Sequence, residues 1–193
     1  MKYVKILGLL AVAAAALMAF AASASATTLT SPTGTTYTGA IHADNEGTHV
    51  TLDNPIANIE CHSTVSGNVE QHGPGVTVKG NITVTFTSCT EGWHVTVLNS
   101  GNLEVHKKAG TTYDGTLTSN NAEVSATVSG ITCVYGTSAT DVGTLTGGTT
   151  PTLDIEAKIP VLTGKSSIFC GTSATTWTGS YTVTTPGSLY VDE

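Results

Sequence analysis

Apolar and polar residues take turns along most of this chain. From Thr152 to Ile159, Leu153, Ile155, Ala157 and Ile159 fall on one side and Thr152, Asp154, Glu156 and Lys158 on the other. Trp177, Gly179, Tyr181 and Val183 share a face in the next such run, opposite Thr176, Thr178, Ser180, Thr182 and Thr184. A third run sets Val76, Val78, Ile82, Val84 and Phe86 inward, and a fourth sets Ile59, Cys61, Ser63, Val65, Gly67 and Val69 together. A period of two sustained over eight residues or more is a strand with one dry face and one wet face.

Shorter runs repeat the pattern. Tyr37 to Ala43 and Thr48 to Leu52 flank a turn at Asp44-Asn45-Glu46-Gly47; Trp93, Val95 and Val97 resume after Cys89, which is out of phase and implies a bulge near Ser88 or a loop thiol. Residues 99–102 are expected to turn a hairpin back into Leu103 and Val105. Tyr113 to Thr118, Ala122 to Val128 and Ile131 to Cys133 follow. About a dozen short strands with no helix beyond residue 26 predict an all-β chain. Alternating faces favour antiparallel pairing, and the expected architecture is a single β-sandwich or jelly-roll-like domain.

One phrase occurs twice: Gly136-Thr137-Ser138-Ala139-Thr140 shortly after Cys133, and Gly171-Thr172-Ser173-Ala174-Thr175 directly after Cys170. Cys133 and Cys170 each stand two places after an isoleucine, Ile131 and Ile168, which places both on apolar strand faces. Equivalent strands lying side by side would join Cys133 to Cys170 and leave Cys61 for Cys89. Four cysteines with no close pairing are a disulfide framework rather than a zinc site. Loops of this length make each bridge worth about 3.5–4 kcal/mol.

Residues 1–26 carry Lys2 and Lys5, an apolar run from Ile6 to Phe20 and the small residues Ala24-Ser25-Ala26, the pattern of a signal peptide. Residues 27–36 read as a flexible leader or edge segment, and residues 37–193 as the domain itself. Beyond the signal, five lysines face fourteen aspartates and glutamates, a net charge of −9, and arginine is absent. Such a surface offers no cationic footprint for nucleic acid or anionic lipid, so neither nucleic acid nor membrane is expected as a partner once the signal is removed. Roughly a fifth of the residues are threonine, which suits pleated sheet and a hydroxyl-rich exterior.

Phe86-Thr87-Ser88-Cys89 with Trp93 close behind, Gly130-Ile131-Thr132-Cys133 and Phe169-Cys170-Gly171 resemble a group of secreted bacterial all-β proteins of the PraB (alkane-oxidation activator) type. That resemblance implies an extracellular or surface-associated, non-enzymatic role at the cell surface or in biofilm, and carries no catalytic residues over.

Candidate chemistry is sparse. His42, Asp44, Glu46 and His49 could ligate zinc or calcium through one loop, but a polar turn is the preferred reading, and no metal or cofactor is expected. Glu60, Glu70, Glu104, Glu123 and Glu156 could supply paired carboxylates to a secreted hydrolase, yet they alternate outward beside threonine as solvated sheet residues do. No nucleophile elbow is present. Trp93 and Tyr113 are the aromatics least committed to a core face, and are the candidate platform for sugar rings. Long threonine-rich strands also make adhesive edges. The expected function is therefore a secreted, non-catalytic surface, matrix or adhesion protein that self-associates or meets polysaccharide, with a carbohydrate-binding module as alternative and a hydrolase third.

Overall fold

The computed structural model describes residues 27–45, 49–54, 56–71, 78–90 and 92–193; the expected signal peptide lies outside them. The strands are β1 (Thr28–Thr30), β2 (Gly39–Asp44), β3 (Val50–Asp53), β4 (Asn58–Glu70), β5 (Val78–Thr87), β6 (His94–Asn99), β7 (Asn102–Lys107), β8 (Gly115–Asn120), β9 (Glu123–Val128), β10 (Ile131–Gly136), β11 (Thr140–Thr146), β12 (Thr152–Ile159), β13 (Thr175–Thr185) and β14 (Tyr190–Asp192). Every strand pairing is antiparallel. Among the described residues the single helical element is a 3-10 turn at Ile168–Cys170.

The strands do not form the expected sandwich. β12 pairs with β11 on one side and, from Thr152 to Ile159, with β13 on the other. The order β12-β11-β8-β7-β5-β4-β2-β13 thereby returns to its start as a closed eight-strand barrel. β3 continues the place of β2: β4 pairs with β2 through Thr64 to Val69 and with β3 through Asn58 to Cys61. Between the two halves, Asn45 accepts from the Ser63 amide through its side chain (2.9 Å) and keeps the ladder joined. Alternation reports one dry and one wet face, which a sandwich and a barrel share; it does not report whether the last strand meets the first.

Each end of the barrel is covered differently. β1 pairs with β14, and this two-stranded ribbon seats Leu29, Leu189 and Val191 against Val105 and Leu145. Gln71 holds it there, accepting from Leu29 N (3.0 Å) and donating to Leu29 O (2.7 Å) and to Tyr37 O. The segment 27–36 thus begins as a buried strand at a sheet edge.

At the other end, β6 and β7 do not form the expected hairpin with each other. β7 pairs with β8 in the barrel, whereas β6 pairs with β9 in a second, three-stranded sheet ordered β10-β9-β6. Asn99 faces Glu123 and Asn102 faces Asn120, so β6–β7 and β8–β9 are the two arms of one long ribbon that bends at 99–102 and 120–123. Gly101 sits at the bend with φ 63°, and a Cβ there would stand 2.2 Å from the Asn120 carbonyl oxygen; only glycine lets the two backbones cross so closely. Val95, Ala126, Cys133 and Tyr135 turn the small sheet's apolar face onto the barrel, in one continuous core with Val65, Leu117 and Leu153. Full burial of a large apolar side chain contributes about 2 kcal/mol, so this shared face is what fixes the small sheet in place.

Both disulfides form, Cys61–Cys89 and Cys133–Cys170, and no cysteine is free. Ser88 takes φ 49°, which accounts for the lost phase at Cys89. The duplicated phrase has a structural meaning: it carries the chain from Cys133 into β11 and from Cys170 into β13, the two strands that flank β12.

Candidate functional site

β10 is the edge of the small sheet, and the chain covers it with its own residues 160–170. Leu162 N donates to Val134 O (2.8 Å), Gly136 N to Pro160 O (3.1 Å) and Ser167 N to Thr132 O (2.9 Å). Ser166 Oγ accepts from Val134 N (2.8 Å) and donates to Val134 O (3.2 Å). An edge strand so covered cannot recruit a foreign strand. Ser167 then caps the 3-10 turn, accepting from Cys170 N (3.0 Å) on its carbonyl, and the disulfide ties Cys170 back to Cys133.

This anchored turn presents an apolar tip. Cys170 is buried, yet Ile168 is 90% exposed and Phe169 68%. The expectation that Ile168 marks an apolar strand face is overturned: in a three-residue turn, successive side chains do not alternate across a sheet, and Cys170 alone points inward. Lys165 closes the base of the tip with an ion pair to Glu123 (2.7 Å), and from Ser166 to Val191 the chain carries no charged residue. The exposed apolar pair thus stands on an anchored turn and is a candidate contact surface. Its sequence signal was an apolar pair bracketed by Ser166-Ser167 and Gly171, outside any period of two.

The other candidates fare differently. Trp93 is buried, with 9% of its surface accessible, and packs in the core, so it offers no platform for a sugar ring; its place at the entry to β6 follows the inward register of Val95. Tyr113 is 42% exposed and meets Tyr190 edge-on, ring centroids 4.8 Å apart. His42 and Asp44 pair at 3.1 Å, but His49 lies against the His62 ring (4.6 Å between centroids) and Glu46 lies outside the described residues. Among the described residues, no three His, Cys, Asp or Glu side chains gather as metal ligands.

Of the five glutamates considered for hydrolysis, Glu104 pairs with Lys79 (3.1 Å), Glu123 with Lys165, and Glu70 accepts from Asn81 (3.3 Å). Glu156 shares an open groove of about 720 Å³ over β11–β13 with His49, Asp141 and Asp154. There Ser180 (2.6 Å) and Thr152 (3.3 Å) donate to Asp154, and Thr118 (2.9 Å) to Asp141. Hydroxyl donors hold these carboxylates on a wet sheet face.

Burial pushes the Tyr181 hydroxyl up to about 12, against the opposing effect of its hydrogen bond to the Ser63 side chain (3.0 Å); burial raises Tyr135 as well. Two disulfides suit an oxidising environment, and among the described residues no helix is long and apolar enough to cross a membrane. Compared with known proteins, the chain matches no family model, no curated protein and no solved structure.

Proposed function

We propose that this is a secreted, non-catalytic surface or matrix protein that associates with further copies of itself through the Ile168–Phe169 tip. The observation that carries the reading is the exposure of both side chains on a turn that a disulfide and five backbone or serine hydrogen bonds hold against β10. With a net charge of −9 on the mature chain, copies repel one another, and the exposed apolar pair beside the self-neutralised Lys165–Glu123 ion pair is where they approach at least cost. The sequence resemblance to secreted PraB-type proteins agrees with such a role.

Sedimentation velocity of the oxidised mature chain across a concentration series tests it. The wild type forms concentration-dependent oligomers, and the Ile168→Ser/Phe169→Ser variant stays monomeric with the same melting temperature; an unchanged monomer in both refutes self-association through the tip. Exposed Tyr113, backed by Tyr190, favours polysaccharide binding as the second reading. Glycan-array binding abolished by Tyr113→Ala and indifferent to the tip variant would put that reading first.

A further inference from the structure

The bend of the long ribbon encloses a chamber that nothing described so far uses. Val84, Phe86, Leu103, Val124 and Trp177 face the interior, yet each keeps accessible surface where the rest of the core keeps almost none. Together with Val97 they surround a cavity of about 70 Å³ between the barrel and the small sheet. A second void of about 30 Å³ lies deeper in the lumen, and Val65, Ile82, Leu103, Leu117 and Leu153 border both. Its walls offer water few hydrogen-bond partners, so the chamber is poorly suited to solvent. An eight-strand barrel has room in its interior either for side chains or for one small ligand.

The chamber has a polar porch. A cleft of about 550 Å³ opens beside it, lined by Asn121, Glu123, Thr137, Ser138 and Thr140, and Asn99 and Ala122 border both spaces. Thr137 is committed to the fold, accepting from Ala122 N (3.0 Å) and sharing a hydrogen bond with Ser119 (3.0 Å). Asn99 accepts from Gly101 N (3.1 Å) with its amide oxygen, which leaves the amide nitrogen to donate at the seam. Glu123 is neutralised by Lys165.

We propose that this chamber and porch form a binding site for a small uncharged amphiphile, with an apolar end of about three carbons inside and a hydroxyl or amide in the cleft. Size and polarity fix that class. The chamber is smaller than the about 150 Å³ that holds benzene in an engineered cavity, so a hydrocarbon alone gains little and the polar half must lie in the porch. An anion would approach a chain of net charge −9, and is disfavoured. Filling the void restores the dispersion contacts its lining lacks.

1-Butanol is the probe, titrated into the oxidised mature chain and followed by methyl and amide NMR. Saturable shifts are expected at Val97, Leu103, Val124 and the Trp177 indole, with intermolecular NOEs from the probe's terminal methyl to Phe86 and Trp177. Leu103→Phe fills the chamber and abolishes them; Asn99→Ala weakens binding several-fold without moving the apolar end; butyrate binds at least about tenfold more weakly. Shifts that never saturate, or that are scattered over the surface and survive Leu103→Phe, overturn the proposal. Should Leu103→Phe lose its dispersed spectrum, the NOEs in the wild type decide alone: their absence at saturation refutes the site.

Discussion

The barrel and the three-stranded sheet are built from the same ribbon, yet they solve the problem of their edges in opposite ways. The barrel closes: β12 pairs along its whole length with β13, and no edge remains at that seam. The small sheet ends at β10, which it protects with a folded-back segment fastened by a disulfide. Closure needs only strand pairing and lumen packing, so Tyr181, Leu153 and Leu145 are buried to within a few per cent. The covering segment buries little apolar surface of its own and turns Ile168 and Phe169 outward, so the sulfur bridge supplies what packing does not. Stability resides in the barrel, and the exposed Ile168–Phe169 tip sits on the part held by a covalent bond.

Breaking the bond separates the two regions most. Cys133→Ala/Cys170→Ala should cost about 4 kcal/mol in denaturant titration, with hydrogen exchange rising first at the amides of Val134, Gly136, Leu162 and Ser167 while β12 and β13 stay protected. Equal loss of protection in both regions would mean that they are one cooperative unit. A truncation inside the barrel acts globally: Leu145→Ala should cost about 3 kcal/mol, whereas Phe169→Ala, which empties no core, should stay within about 0.5 kcal/mol and change association instead.

Alkali sharpens the same contrast. Tyr181 is held neutral in the folded barrel up to about 12, whereas an unfolded tyrosine ionises near its ordinary value of 10. Between those values the folded state binds the extra proton, so stability is complete below pH 10 and falls as pH rises toward 12, by up to about 2.5 kcal/mol. Tyr181→Phe should flatten that slope in unfolding measurements from pH 9 to 12. A small effect is also expected from Lys165→Ala: its ion pair with Glu123 is largely exposed, and losing it should cost under about 1 kcal/mol in denaturant titration at neutral pH.

Much of the fold was legible in the chain because a strand's two faces leave a period of two. The faces of β4, β5, β12 and β13 are those their alternation indicates, and the cysteine pairs follow from position. Closure was not legible, since Leu153 and Tyr181 look the same in an open sheet as in a barrel. The bend at Gly101 resembles a hairpin in sequence because Asn99-Ser100-Gly101-Asn102 has the composition of a turn; whether β7 folds back on β6 or crosses to another sheet depends on residues 120–123, further along the chain. The tip was hidden for a related reason. Ile168, two places before a cysteine, mimics the strand phase of Ile131 and Cys133, and only the 3-10 geometry turns it to solvent. Trp93 looks uncommitted in the sequence because it stands just before β6, and its burial comes from the shared core it packs into.

Closure of the eight-strand sheet is the claim on which the plugged end, the covered end and the chamber all rest. Interstrand NOEs in the oxidised protein test it directly: the structure predicts backbone contacts between Asp154 and Ser180 across β12–β13 and between Thr96 and Ser125 across β6–β9, together with none between β6 and β7. An open seam at β12–β13, with β6 instead paired to β7, would contradict it.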